Sequence, residues 1–247
     1  MKYSRNSMIL LPSGILLAFL CTACGHNPPK SDSSSASADS PATSVEEEMD
    51  HPPEEEQIET PLSPSSDDTF VLVTDYIPDI QVELKYATAD NFTHTVIYEF
   101  DDAYLRYGTV KKLSAAQEIF SADGYTLKIW DAFRPTSAQY KLWEICPDPV
   151  YVANPNNGFS SHSRGNTVDV TLVYADGSAV EMPTDFDDFS TKADRDYSDV
   201  SESAAEHASY LESVMESCGF KPYSGEWWHF SDTDSYEVEE VFYPEQH

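Results

Sequence analysis

Ser160-Ser161-His162-Ser163-Arg164-Gly165-Asn166-Thr167-Val168-Asp169-Val170-Thr171-Leu172 reads as a Ser- and Gly-rich turn that runs into a strand. From Thr167 to Tyr174 the chain alternates, so Val168, Val170 and Leu172 share one face and Thr167, Asp169 and Thr171 the other. An aspartate in the middle of an apolar strand needs a partner, because an unpaired buried charge is very costly. A cation is one such partner; a salt bridge or a hydrogen bond to the turn is another.

A second stretch, Glu226-Trp227-Trp228-His229, places a Glu three residues before a His around two tryptophans. On a regular strand this odd spacing sends the two side chains to opposite faces. Both serve one site only if the chain bulges there. A catalytic zinc takes three protein ligands and keeps one position open, and His162, Asp169 and His229 are suitable donors. A Glu that is not a ligand, here Glu226, suits a general base acting on water. The alternative for His229 is a core histidine packed by the tryptophans. A third stretch, Trp130-Asp131-Ala132-Phe133-Arg134-Pro135, puts an Arg at a strand end. Such an Arg can face the oxyanion of amide hydrolysis, a role worth about 3 kcal/mol. The alternative is a surface Arg paired with one of the many acids.

Around these motifs, Phe70–Val73, Leu127–Trp130, Thr167–Tyr174 and Glu226–Phe230 read as extended, and so does Val82–Tyr86. Val110–Ala122 and Ser203–Cys218 carry apolar residues at helical spacing and stop at Gly124 and Gly219. Ser137–Ile145 reads as a helix capped by Thr136 or Ser137. Helices and strands mix without a strict βαβ rhythm, so the expected class is α+β.

The 247 residues carry 44 Asp and Glu against 14 Lys and Arg, a net charge of −30. Such a chain repels nucleic acid and anionic membrane surfaces. Lys2 and Arg5 before the apolar run Met8–Leu20 read as an export signal, residues 1–24. Its end, Leu20-Cys21-Thr22-Ala23-Cys24-Gly25, resembles a bacterial lipoprotein cleavage site, which implies a lipid anchor at Cys24 and an exported, membrane-tethered protein. Residues 25–67 hold 11 acids and one base, Lys30, and read as a disordered acidic tether. What remains, 68–247, is one domain with 33 acids and 11 bases. Export permits a disulfide between Cys146 and Cys218 or leaves two free thiols.

The motifs Ser-His-x-x-Gly-x-x-x-Asp and Glu-Trp-Trp-His, with Asp-x-x-Arg-Pro upstream, resemble those of the zinc D-alanyl-D-alanine dipeptidases, within the wider zinc D,D-peptidase group. Leu84–Thr93, Asp185-Phe186-Asp187 and Met215–Phe220 extend the likeness across residues 70–243. The resemblance implies the zinc D,D-peptidase fold, a mixed, mainly antiparallel sheet with flanking helices. It implies one zinc ion held by His162, Asp169 and His229, with Glu226 as base and later proton donor and Arg134 stabilising the oxyanion. Asp187 matches the acid that takes the substrate's ammonium, and Ser160 and Tyr86 match pocket positions. The implied activity is hydrolysis of the small-molecule substrate D-Ala-D-Ala to two D-alanines. The alternatives are a D,D-carboxypeptidase or endopeptidase acting on peptidoglycan stems, or a zinc-containing wall-peptide binding module. The segment from Arg134 to His162 looks short beside the family, so the resemblance does not define the pocket rim.

Overall fold

The structure is a computed structural model that describes residues 63–244. The expected signal 1–24 with Cys24, and the expected tether up to residue 62, lie outside the described residues. The last residues of the expected tether join the domain. Asp67 accepts from Gly108 N at 3.0 Å, and its carboxylate pairs with Lys111 at 2.8 Å.

In chain order the elements are β1 (Phe70–Leu72), α1 (Val73–Tyr76), β2 (Gln81–Val82), β3 (Tyr104–Arg106), α2 (Tyr107–Ala122), β4 (Tyr125–Asp131), α3 (Thr136–Ile145), β5 (Thr167–Tyr174), α4 (Glu202–Ser217), β6 (Phe220–Tyr223) and β7 (Glu226–Asp232). Five strands form one sheet in the order β2-β4-β5-β7-β6, and β1 pairs with β3 in a second. Among the described strands only the β2–β4 pairing is parallel. The class is therefore α+β with a mixed, mainly antiparallel sheet, as expected. Helix α2 packs on β4, α4 packs on β6, and the two helices touch. Leu113, Phe120, Leu127, Ile129, Val170, Leu172, Leu211 and Met215 lie in one core, each no more than 1% exposed.

Four expectations shift. Val82–Tyr86 is extended only at its start, because Lys85–Ala87 wind into a 3-10 turn that buries Tyr86. The Tyr86 carbonyl then accepts from both Ile97 N and Tyr98 N. Helix α3 has Pro135 at its N-cap and no side-chain cap; the Pro135 carbonyl simply accepts from Gln139 N at 3.1 Å. Helix α2 starts three residues before Val110, since Gly108 and Thr109 are buried and Thr109 Oγ1 donates to Asp232 at 2.8 Å. Helix α4 starts at Glu202, where Ser201 accepts from Ala204 N at 3.1 Å. Cys146 and Cys218 are both free thiols, so the disulfide does not form. Among the described residues no helix is long and apolar enough to cross a membrane.

Candidate metal centre and substrate cavity

Two irregularities in the sheet create the site. Ile129 pairs with Val170, but Asp131 pairs with Asp169, so β4 has one residue more than β5 at Trp130. Residues directly opposite share a face. The extra residue therefore turns Asp131 off the core face of Ile129 and onto the face of Asp169. On the other side of β5, Asp169 pairs with His229, while Val168 pairs with Phe230. Along β7, Phe230 faces Pro222 and Glu226 faces the next residue, Tyr223. The residues between, Trp227 to His229, form the bulge that the Glu-Trp-Trp-His spacing requires. Glu226 Oε2 thereby lies 3.5 Å from His229 Nδ1.

His162 comes from a 3-10 turn, Ser161–Arg164, capped by Ser160, whose Oγ accepts from His162 N at 3.4 Å. The turn ends at Gly165 with φ 73°, and a Cβ there would meet the Phe70 ring at 2.4 Å. Only glycine satisfies both conditions. The His162 carbonyl accepts from Arg134 N at 3.3 Å, which ties the two motifs together.

The side chains of His162, Asp169 and His229 present donor atoms within 4.8 Å of one another. His162 Nδ1 lies 2.9 Å from the Ala132 carbonyl, so that nitrogen carries the proton and Nε2 turns its lone pair toward Asp169 Oδ2, 3.3 Å away. His229 Nδ1 lies 2.9 Å from Asp169 Oδ1. Even so, Asp169 Oδ1 is buried without a hydrogen-bond partner among the described residues, so the ring nitrogen is close without being aligned to donate. A lone pair facing a carboxylate, and an orphaned carboxylate oxygen, are both resolved by a cation between them. Tetrahedral zinc bonds of about 2.0–2.2 Å put ligand atoms about 3.3 Å apart, and two nitrogens with one oxygen are zinc donors. The donor set fits one zinc ion. Burial opposes the Asp169 charge, but His162 and His229 hold its carboxyl far below the usual carboxylate range. Burial likewise works against a charged His162, but Asp169 and Asp131 raise it, so without a cation a proton fills the place on Nε2 that a metal would take.

All eight residues singled out in the sequence line one cavity of about 350 Å³. His229 is half-buried at its wall, not a core histidine; it is the two tryptophans that are fully buried. Arg134 is not a surface residue. Its Nη2 pairs with Asp131 Oδ2 at 2.6 Å, Nη1 donates to Gln139 Oε1 at 3.0 Å, and its guanidinium lies 5.0 Å from the Tyr86 ring centre. Burial would lower its pKa, but the Asp131 carboxylate overrides that and keeps the guanidinium charged. Burial pushes the Glu226 carboxyl up, with the Asp169 charge adding to this and His229 opposing it. Asp187 accepts from Tyr86 Oη at 2.9 Å, and desolvation pushes it up to about 8 despite that bond.

Three residues that the sequence did not single out support these. Asp131, fully buried, also accepts from Tyr98 Oη at 2.6 Å and lies 3.7 Å from His162 Nδ1. Gln139, fully buried, holds Arg134 and donates to the Ala153 carbonyl at 2.7 Å, joining the Arg to the cavity rim. That rim is built by the Arg134–His162 connection, through Pro149, Val150, Tyr151, Ala153 and Phe159. Asp131 was visible in Asp-x-x-Arg-Pro as an acid three residues before an Arg; nothing local marks Tyr98 or Gln139.

A family profile described as D-ala-D-ala dipeptidase, peptidase M15, matches residues 66–247. The D-alanyl-D-alanine dipeptidase of Escherichia coli is 38% identical over 153 residues, 62% of this chain and 79% of that protein. The enzyme of the same name from Enterococcus faecium is 32% identical over 181 residues, 65% of this chain and 90% of that protein. A solved structure of VanYB in complex with D-alanine-D-alanine has a TM-score of 0.37 at 16% identity, over 63% of this chain and 86% of that one. With the family profile matching residues 66–247 and these relatives matched over most of their length, the chain belongs to the D-alanyl-D-alanine dipeptidase family and is a peptidase.

Proposed function

We propose that this chain is a zinc-dependent dipeptidase that splits free D-Ala-D-Ala into two D-alanines outside the cytoplasm. The observation that carries the reading is one cavity walled by a zinc-competent His-Asp-His group, a carboxyl beside it, a fixed guanidinium and a second carboxyl. When bound by His162, Asp169 and His229, zinc supplies Lewis acidity that polarises a carbonyl and acidifies water. Glu226 takes the proton of the attacking water and returns it to the leaving amine; the upward push on its carboxyl makes it a better proton acceptor. Arg134, already charged and immobilised by Asp131 and Gln139, faces the oxyanion without having to reorganise. Asp187, steadied by Tyr86, receives the dipeptide's ammonium. Ser160 holds His162 through the turn it caps.

A dipeptide has its ammonium one residue from the scissile bond. A longer or N-acylated chain has none there and leaves the Asp187 carboxyl unpaired. The selection is therefore local, since a strongly acidic surface gives a zwitterion little steering. The leader and acidic tether support a position at the outer face of the membrane through Cys24, where the substrate would be dipeptide released from the wall. Purified protein should release D-alanine from D-Ala-D-Ala, lose that activity on chelation and regain it with zinc. No release with zinc restored, or faster cleavage of N-acetyl-D-Ala-D-Ala than of the free dipeptide, sinks the reading. The anchor is tested separately: Cys24→Ala should abolish fatty-acid labelling and release the protein from membranes.

A further inference from the structure

The bulge that brings Glu226 beside His229 is held from behind. Where β6 lies along β7, Pro222 faces Phe230, and an unbroken ladder would next set Tyr223 against His229. Tyr223 instead pairs with Glu226, so Trp227, Trp228 and His229 stand outside the register with β6. A ladder opened in this way leaves main-chain groups that need other partners.

Arg195, in the connection between β5 and α4, supplies them. Its Nε donates to the Tyr223 carbonyl at 2.7 Å and its Nη2 to the His229 carbonyl at 3.0 Å. These two nitrogens form one edge of the planar guanidinium, so a single rigid group spans the two residues that lost their register. The rest of the side chain is fixed as well. Nη1 donates to Glu212 Oε2, on α4, at 3.0 Å, and Tyr197 Oη donates to the same oxygen at 3.1 Å. The guanidinium carbon lies 4.5 Å from the centre of the Phe230 ring. The side chain is only 9% exposed. Arg195 does not line the substrate cavity, whereas Tyr223, Glu226 and His229 do. It reaches the site through their backbone.

We propose that Arg195 is a positioning residue for the reaction: it ties the Tyr223–His229 bulge to α4 and so sets the Glu226 carboxyl against the His229 ring. The inference rests on the dipeptidase reading for its effect on turnover, and on the His-Asp-His group alone for its effect on metal. A lysine cannot do the same work, because one ammonium does not span two carbonyls and the Glu212 carboxylate in fixed directions. Were the Arg195–Glu212 pair merely structural, its loss would cost a little stability and leave metal and turnover alone.

Arg195→Lys keeps the charge and removes the fork. The variant and wild type would be compared by the zinc dissociation constant, measured in competition with a chromogenic chelator. The visible absorption of the Co(II)-loaded proteins, kcat and KM on D-Ala-D-Ala at saturating zinc, and the melting temperature would be measured alongside. Zinc should bind about tenfold more weakly or worse, and kcat should fall on the same scale, the usual effect of losing a group that orients a metal ligand. The Co(II) bands should shift or change intensity as His229 moves. KM should stay within about twofold, since Arg134 and Asp187 are untouched. A folded Lys variant with wild-type zinc affinity, Co(II) spectrum and kcat overturns the proposal, even if its melting temperature drops. Should the Lys variant not fold, Glu212→Ala keeps the guanidinium but frees it from α4. Weaker zinc binding with an altered Co(II) spectrum in that variant upholds the proposal, and wild-type values overturn it. A wild type that binds zinc but releases no D-alanine overturns the dipeptidase reading, and the zinc and Co(II) measurements then decide this inference by themselves.

Discussion

Asp187→Asn should make the metal-depleted protein more stable while impairing its activity, and the stability gain should depend on pH. The Asp187 carboxyl is pushed up to about 8 by desolvation in the folded chain, against an ordinary value of 3.8. An acid whose folded pKa is raised binds its proton more tightly when folded. Its protonated form therefore favours the fold fully below pH 3.8, and that contribution is lost as pH rises from about 4 to about 8. Asn has no such loss. At pH 7 the gap of about three pH units from 3.8 corresponds to at most about 4 kcal/mol. Solvent entering the cavity reduces this, and we expect a gain of at least about 1 kcal/mol. The assay is urea unfolding of both proteins, stripped of metal, at pH 4.5, 6, 7 and 8. Metal is removed because a nearby cation would itself favour the ionised Asp187. Other titrating groups are common to the two proteins, so their effects largely cancel in the difference. Wild type and variant should be nearly equal at pH 4.5 and diverge steadily toward pH 8. Stability curves that stay parallel over this range would refute the reasoning. A more stable but less active variant is the expected pattern where a carboxyl is kept in a poor environment for binding.

Three further outcomes are expected. Glu226→Gln should retain stoichiometric zinc and lower kcat by about 10²–10⁴-fold, the usual worth of a positioned general base; metal analysis with steady-state kinetics checks both, and unchanged kcat removes Glu226 from the reaction. Asp131→Asn leaves the buried Arg134 guanidinium without its carboxylate, so unfolding in urea should show a loss of about 3–5 kcal/mol, and a loss below 1 kcal/mol would contradict the buried ion pair. Adding a thiol reductant should leave the melting temperature unchanged, because Cys146 and Cys218 are free; a drop of several degrees would mean that a disulfide forms after all.

The sequence by itself determined the elements whose pattern is local and the candidate residues that the fold brings into one cavity. Thr167–Tyr174 is a strand over the residues read from its alternation, because a period of two on one buried face leaves no other register. The α+β class followed from the mixed order of strands and helices. Asp169 demanded a partner because of where it sat in an apolar strand. The Glu226–His229 spacing demanded a bulge because odd spacing cannot serve one face.

Short strands without their own pattern were not legible. The three residues of β3 and the four of β6 are strands only because β1 and β7 lie beside them. Tertiary structure alone decided the supports of the site. The extra residue at Trp130 turns Asp131 toward Arg134 and His162, and no local pattern in β4 announces it. Tyr98 and Gln139 reach Arg134 across 36 and 5 positions of chain, so only the folded path shows that they hold it. A ligand is recognisable from its chemistry and its spacing. What surrounds it depends on which distant segments the chain brings together.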